Sequence, residues 1–133
     1  MENKRKHLEF IQAIISRMAS NSFLLKGWCL TLVTALIALS LNDSNKCYIL
    51  ATYFPIVAFW VLDGYFLSQE RLFRDLYDFV RSLDDETINF CMDTTPYKKK
   101  CRNKWLCSML SNTLLIFYTP LISIMSTILF FVE

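Results

Sequence analysis

Residues 22–41 read SFLLKGWCLTLVTALIALSL, mostly apolar, with a single charge, Lys26, one turn inside the start. About 20 residues of helix rise ~30 Å, the thickness of a bilayer's hydrocarbon core, so this stretch predicts a spanning helix. Working outward, residues 47–67 form a second such run, with Pro55 towards its start and Asp63, in FWVLDGYF, towards its end. Residues 106–132 form a third, longer and interspersed with Ser and Thr. The chain has 133 residues, is 54% hydrophobic and has only two glycines; too little polar chain remains to hide three such segments in a soluble core. The expected fold class is an all-α membrane protein with three transmembrane helices.

The N-terminal residues 1–21, MENKRKHLEFIQAIISRMASN, are charged and amphipathic and lack the continuous apolar core of an export signal, so the first span is expected to stay as an anchor. Leu8, Ile11, Ile14, Ile15 and Met18 recur at helical spacing, which predicts an amphipathic helix lying on the inner leaflet or packed on other helices. Ser20, Asn21 and Ser22 then interrupt the pattern and offer caps for the first span. Lys and Arg crowd before the first span and between the second and third, whereas the short loop NDSNK carries only Lys46 and the chain ends at Glu133. By the positive-inside rule the N-terminus and the middle segment face the cytoplasm and the C-terminus lies outside. A bacterial inner membrane is the expected location.

After Asp63 the chain runs on as YFLSQERLFRDLYDFVRSLDDE, with Leu72, Phe73, Leu76, Phe79, Val80 and Leu83 on one helical face. Glu70 with Arg74, Arg71 with Asp75 and Arg74 with Asp78 stand four residues apart and read as ion pairs. One helix from Cys47 to Leu83 would be roughly 55 Å long and would project 20 to 25 Å into the cytoplasm, its apolar face covered by the N-terminal helix or by a second copy. The expected organisation is therefore an amphipathic helix (1–21), two spans with a short outer loop (22–67), a cytoplasmic helix and basic connector (68–104) and a third span (105–133). A helix over 105–132 exceeds the hydrocarbon core, so it must tilt, kink at Pro120 or begin in the cytoplasm.

Lys26 and Asp63 each lie about four residues from the cytoplasmic end of their spans, some 6 Å inside the boundary. Either the two neutralise each other as a structural ion pair, or Lys26 snorkels to the headgroups and Asp63 finds another partner. In the first span Gly27, Thr31, Thr34, Ala35 and Ala38 form a small-residue stripe suited to close helix approach. In the third, Ser108, Asn112, Thr119, Ser123, Ser126 and Thr127 follow helical spacing, interrupted at Leu115 and Ile116. Such a stripe either packs helices or lines a hydrated pore, and a pore needs several copies, with Leu115 and Ile116 as an apolar constriction.

The connector 94–105, TTPYKKKCRNKW, sets Lys98, Lys99, Lys100, Arg102 and Lys104 between Tyr97 and Trp105. Its charge serves topology alone, or binds anionic lipid, or binds a nucleotide or single-stranded nucleic acid with the two aromatics stacking on bases. Five cysteines without a CxxC pair and a single histidine, His7, give no zinc or disulfide framework, so the thiols read as small apolar residues or idle groups. With no phosphate-binding glycine loop, HExxH or GxSxG, an enzyme is not expected and no cofactor is implied.

The runs NSFLLKGW (21–28) and FWVLDGYFLSQERLFRDLYD (59–78) resemble parts of small bacterial inner-membrane proteins of anti-phage defence loci, and the chain is similar in plan to the membrane effectors of Hailong-type systems. That resemblance implies an oligomeric, channel-like effector held closed by a DNA oligomer that a cytosolic nucleotidyltransferase partner makes, with single-stranded DNA as the ligand of the basic surface. It assigns no site residue.

Overall fold

The computed structural model describes residues 1–43 and 46–131. The expected outer loop therefore falls partly, and Val132 and Glu133 wholly, outside the described residues. Helix α1 (Glu2–Asp43) and helix α2 (Lys46–Ser82) are followed by two 3-10 turns (Thr95–Lys99 and Cys101–Asn103), a short helix α3 (Trp105–Met109) and helix α4 (Asn112–Phe131). Among the described residues, three helices are long and apolar enough to cross a membrane, within Glu2–Asn42, Cys47–Ser82 and Asn112–Phe131.

The 42 residues of α1 give a rod of about 63 Å and the 37 of α2 one of about 55 Å, packed antiparallel. Met1 meets Asp85 and Lys4 meets the Leu83 carbonyl at one end, while Val33 and Ile49 share a core towards the other. Two apolar clusters sit at different heights along this pair. Cys29, Val33, Ile49 and Ile56 join Leu114, Tyr118 and Met125 of α4 in the first. Ile11 of α1 and Leu76 and Val80 of α2 form the second, with Leu8, Ile15, Phe73, Tyr77 and Tyr97 around them. The apolar face of the α2 extension is thus covered by the N-terminal part of the same chain.

The expected boundary at Ser20, Asn21 and Ser22 does not exist, because α1 runs through it without interruption. Polar residues inside a helix cost tenths of a kcal/mol each, roughly, and continuous packing along α2 outweighs that. Ser22 turns its hydroxyl to Asp63 instead of capping a helix.

The third segment breaks where no sequence signal stands. Pro55 and Pro120 both lie inside helices assigned without a gap, while the chain leaves the helical path at Leu110 and Ser111. Leaving the ladder there frees the Met109 carbonyl, which accepts the Trp60 indole N–H at 3.0 Å. The Ser111 carbonyl restarts the helix by accepting from Leu114 and Leu115 at 3.1 and 3.0 Å. Gly64 makes the docking of α3 possible, since a Cβ there would collide with the Met109 side chain and stand 3.3 Å from its Cα.

Candidate functional site

Asp63 has no exposed surface and sits where α1, α2 and α4 converge. Ser22 and Lys26, one turn apart on α1, both donate to its carboxylate, to Oδ1 and Oδ2 respectively. Lys26 also donates to the Ser22 oxygen at 2.9 Å, and Tyr118 of α4 donates its hydroxyl to Oδ2 at 3.2 Å. The Lys26 ammonium stands 5.9 Å over the Phe117 ring, and Trp60 stacks on Tyr118 with ring centres 5.9 Å apart. A buried carboxylate holding one cation and two hydroxyls is electrostatically satisfied. Such a group adds little net stability over apolar packing, but it penalises any arrangement that separates its partners. Its chemistry is therefore that of a register pin between three helices.

The hydroxyl stripe divides into two. Ser108 belongs to α3, not to the third long helix, and is fully buried, 3.4 Å from the Arg102 carbonyl to which its hydroxyl points. The break at Leu110 and Ser111 shifts it out of phase with the rest, which corrects the single stripe expected from spacing. Ser126 meets the Tyr53 hydroxyl at 3.0 Å and so ties α4 to α2. Asn112, Ile116, Thr119, Ser123 and Thr127 face outward, and Leu115 is half-buried. Ser123 and Thr127 donate to the carbonyls four residues earlier, each at 2.9 Å, as do Thr31 and Thr34 on the exposed face of α1 at 2.9 and 2.8 Å.

The basic connector is folded onto α2 around Asp75. Asn103, 2% exposed, donates one amide N–H to Asp75 at 2.6 Å and another to the Tyr97 carbonyl at 3.0 Å. Lys100 and Arg102 reach the same carboxylate at 3.2 and 3.3 Å. Ser68 donates to the Asn103 carbonyl at 2.5 Å and Arg71 to the Arg102 carbonyl at 2.8 Å. Glu70 and Arg74 pair at 2.7 Å as their spacing suggests, whereas Arg71 does not pair with Asp75, because a tertiary cluster outbids the local one. Lys98, Lys99 and Lys104 are exposed and make no ion pair within 4.0 Å among the described residues. Burial opposes ionisation of Asp75, but the Asn103 and Lys100 hydrogen bonds and the two cations hold its carboxyl below the usual range. Burial, then the Asp75 charge, push the Tyr97 hydroxyl up.

No family model, curated protein or solved structure matches this chain.

Tyr97 packs on the second cluster with Phe79 6.3 Å away, and Trp105 gives its indole N–H to the Val61 carbonyl at 3.0 Å while staying 46% exposed. Beside the connector lies a cavity of about 400 Å³ lined by Gln12, Ile15, Ser16, Arg74, Tyr77, Asp78 and Arg102. Depth counting along the helices reaches the juxtaposition of Lys26 and Asp63, but not Ser22 or Tyr118. Ser22 carried a signal, one turn before Lys26, that a reading restricted to charges passes over. Asn103 carried none, since a polar residue in a basic loop gives no hint of burial.

Proposed function

We propose that the chain is the subunit of an oligomeric membrane effector, inserted by its three apolar helices with the connector in the cytoplasm, that forms a gated pore. The observation that carries this reading is the outward face of α4, where Asn112, Thr119, Ser123 and Thr127 are exposed while Leu114, Tyr118 and Met125 fill the subunit's own core. Polar side chains on the outside of an apolar helix call for water or another protein surface in a bilayer. Several copies around an axis supply both. Ile116, 74% exposed on that face, would then form the apolar constriction. Lys98, Lys99 and Lys104 from each copy would attract an anionic ligand, a nucleotide or the single-stranded DNA of a nucleotidyltransferase partner, as the resemblance to defence effectors implies.

A non-conducting scaffold is the competing reading. It is favoured by the back-donation of Ser123 and Thr127 to their own helix, which leaves little hydrogen-bonding need for water. Purified protein in planar lipid bilayers distinguishes the two. Ohmic steps that fall at least about tenfold with Thr119→Leu and Ser123→Leu are expected; a silent bilayer, or a solitary monomer by mass in lipid nanodiscs, overturns the pore.

A further inference from the structure

The sequence offers Cys101 and Cys107 as two thiols six residues apart with no motif, and the fold brings them together. Cys101 opens the second 3-10 turn, the backbone straightens at Lys104, and α3 carries Cys107 back until the two Sγ atoms are 2.6 Å apart. That separation is about half an ångström more than a disulfide bond of ~2.05 Å. Cys101 is exposed and Cys107 half-buried, so an oxidant reaches Cys101 first. The loop between them contains Arg102 and Asn103, whose carbonyls are held by Arg71 and Ser68 and whose side chains are held by Asp75. Four of the hydrogen bonds that clamp the connector onto α2 therefore lie inside the ring that a bond between these sulfurs would close, while Lys100 holds Asp75 from just outside it.

We propose that Cys101 and Cys107 form a reversible dithiol–disulfide site, oxidised by hydrogen peroxide, whose closure locks the basic connector in its docked conformation. The Cys101 thiolate attacks one peroxide oxygen, the O–O bond breaks, hydroxide leaves and Cys101 becomes a sulfenic acid. The Cys107 thiolate then attacks that sulfur, the S–S bond forms and a second hydroxide is expelled. The two hydroxides take up the two thiol protons, so two thiols and one peroxide yield one disulfide and two waters. A dithiol reductant reverses the bond by exchange. Cys101 is the attacking sulfur because it is the accessible one, and Cys107 resolves the intermediate because it is already in contact. This site stands on the folded connector alone and does not require the pore reading.

The test uses the full chain in lipid nanodiscs, treated with hydrogen peroxide, alkylated and mapped by mass spectrometry. The expected product is a peptide linking Cys101 to Cys107, lost on adding dithiothreitol. Amide exchange over residues 101–108 is expected to slow about tenfold in the oxidised form. In Cys107→Ser, a sulfenic acid on Cys101 should accumulate and be captured by dimedone. Persistent dimedone capture at Cys101 in the unaltered chain, or linkage of Cys101 mainly to a cysteine other than Cys107, overturns the site. A Cys101–Cys107 bond that leaves the exchange rates unchanged overturns the lock. Pairing in the unaltered chain decides the matter even where the serine variant fails to fold.

Discussion

Asp63 keeps three donors and no surface, so its two kinds of loss differ in cost. Lys26→Met leaves the carboxylate buried without its cation, held only by the Ser22 and Tyr118 hydroxyls, and breaking a buried pair in this way costs about 3–5 kcal/mol. Lys26→Met joined to Asp63→Leu removes the charge together with its partner and should recover most of that loss. Thermal unfolding in one detergent checks this; a double variant no more stable than Lys26→Met would show that the pair does not set the register. Asp75 gives a pH test at the same scale. Its folded carboxyl titrates below the ordinary ~3.9, so the unfolded chain binds the proton first as acid is added and stability falls with falling pH. The contribution is fully present above the ordinary carboxylate range and is lost as pH drops through the folded value. Asp75→Asn should reduce the acid sensitivity of connector docking, read as protease susceptibility between residues 83 and 104, and leave the part contributed by Asp85, held low by the N-terminal ammonium, and Asp93, held low by Thr95.

Among elements, α3 has the narrowest tolerance. Gly64→Ala inserts a methyl where Met109 already stands, and overpacking of this kind costs about 1–3 kcal/mol. A Cβ at Gly27 meets nothing within 4 Å, so Gly27→Ala should not destabilise the subunit and, by helix propensity, should stabilise it by up to about 1 kcal/mol. Paired melting curves check the contrast. The long helices were legible because apolar runs and charge spacing are local properties: residues 22–41 and 47–67 lie inside α1 and α2, and α2 extends to Ser82 as the charge and apolar spacing suggest. The break at Leu110 and Ser111 was not legible, because its cause is on another helix, in the Trp60 indole and the bare backbone of Gly64. The Asp75 hub was hidden for a related reason. Spacing on α2 nominates Arg71 as its partner, but Asn103, Lys100 and Arg102 arrive from a loop whose path the sequence does not reveal.

For the whole molecule, charge accounting separates cations without an ion pair among the described residues from structural ones. Lys98 and Lys99 are exposed and make no ion pair within 4.0 Å among the described residues, so for the single-stranded DNA proposed above as ligand their joint replacement by Ala should lower the slope of log affinity against log salt by about 1.4. Lys100→Ala should change the slope less, because that ammonium already neutralises Asp75, and should loosen the connector instead. Titrations across a range of salt concentrations measure both; equal slopes for the unaltered chain and the Lys98, Lys99 variant would remove these lysines from the ligand surface.

The unbroken course of α1 past residues 20–22 has a mechanical consequence. With no hinge between its amphipathic end and its apolar half, a displacement of the tip near Met1 and Asp85 is carried along the rod to the junction of Ser22, Lys26 and Asp63 instead of being absorbed at residues 20–22.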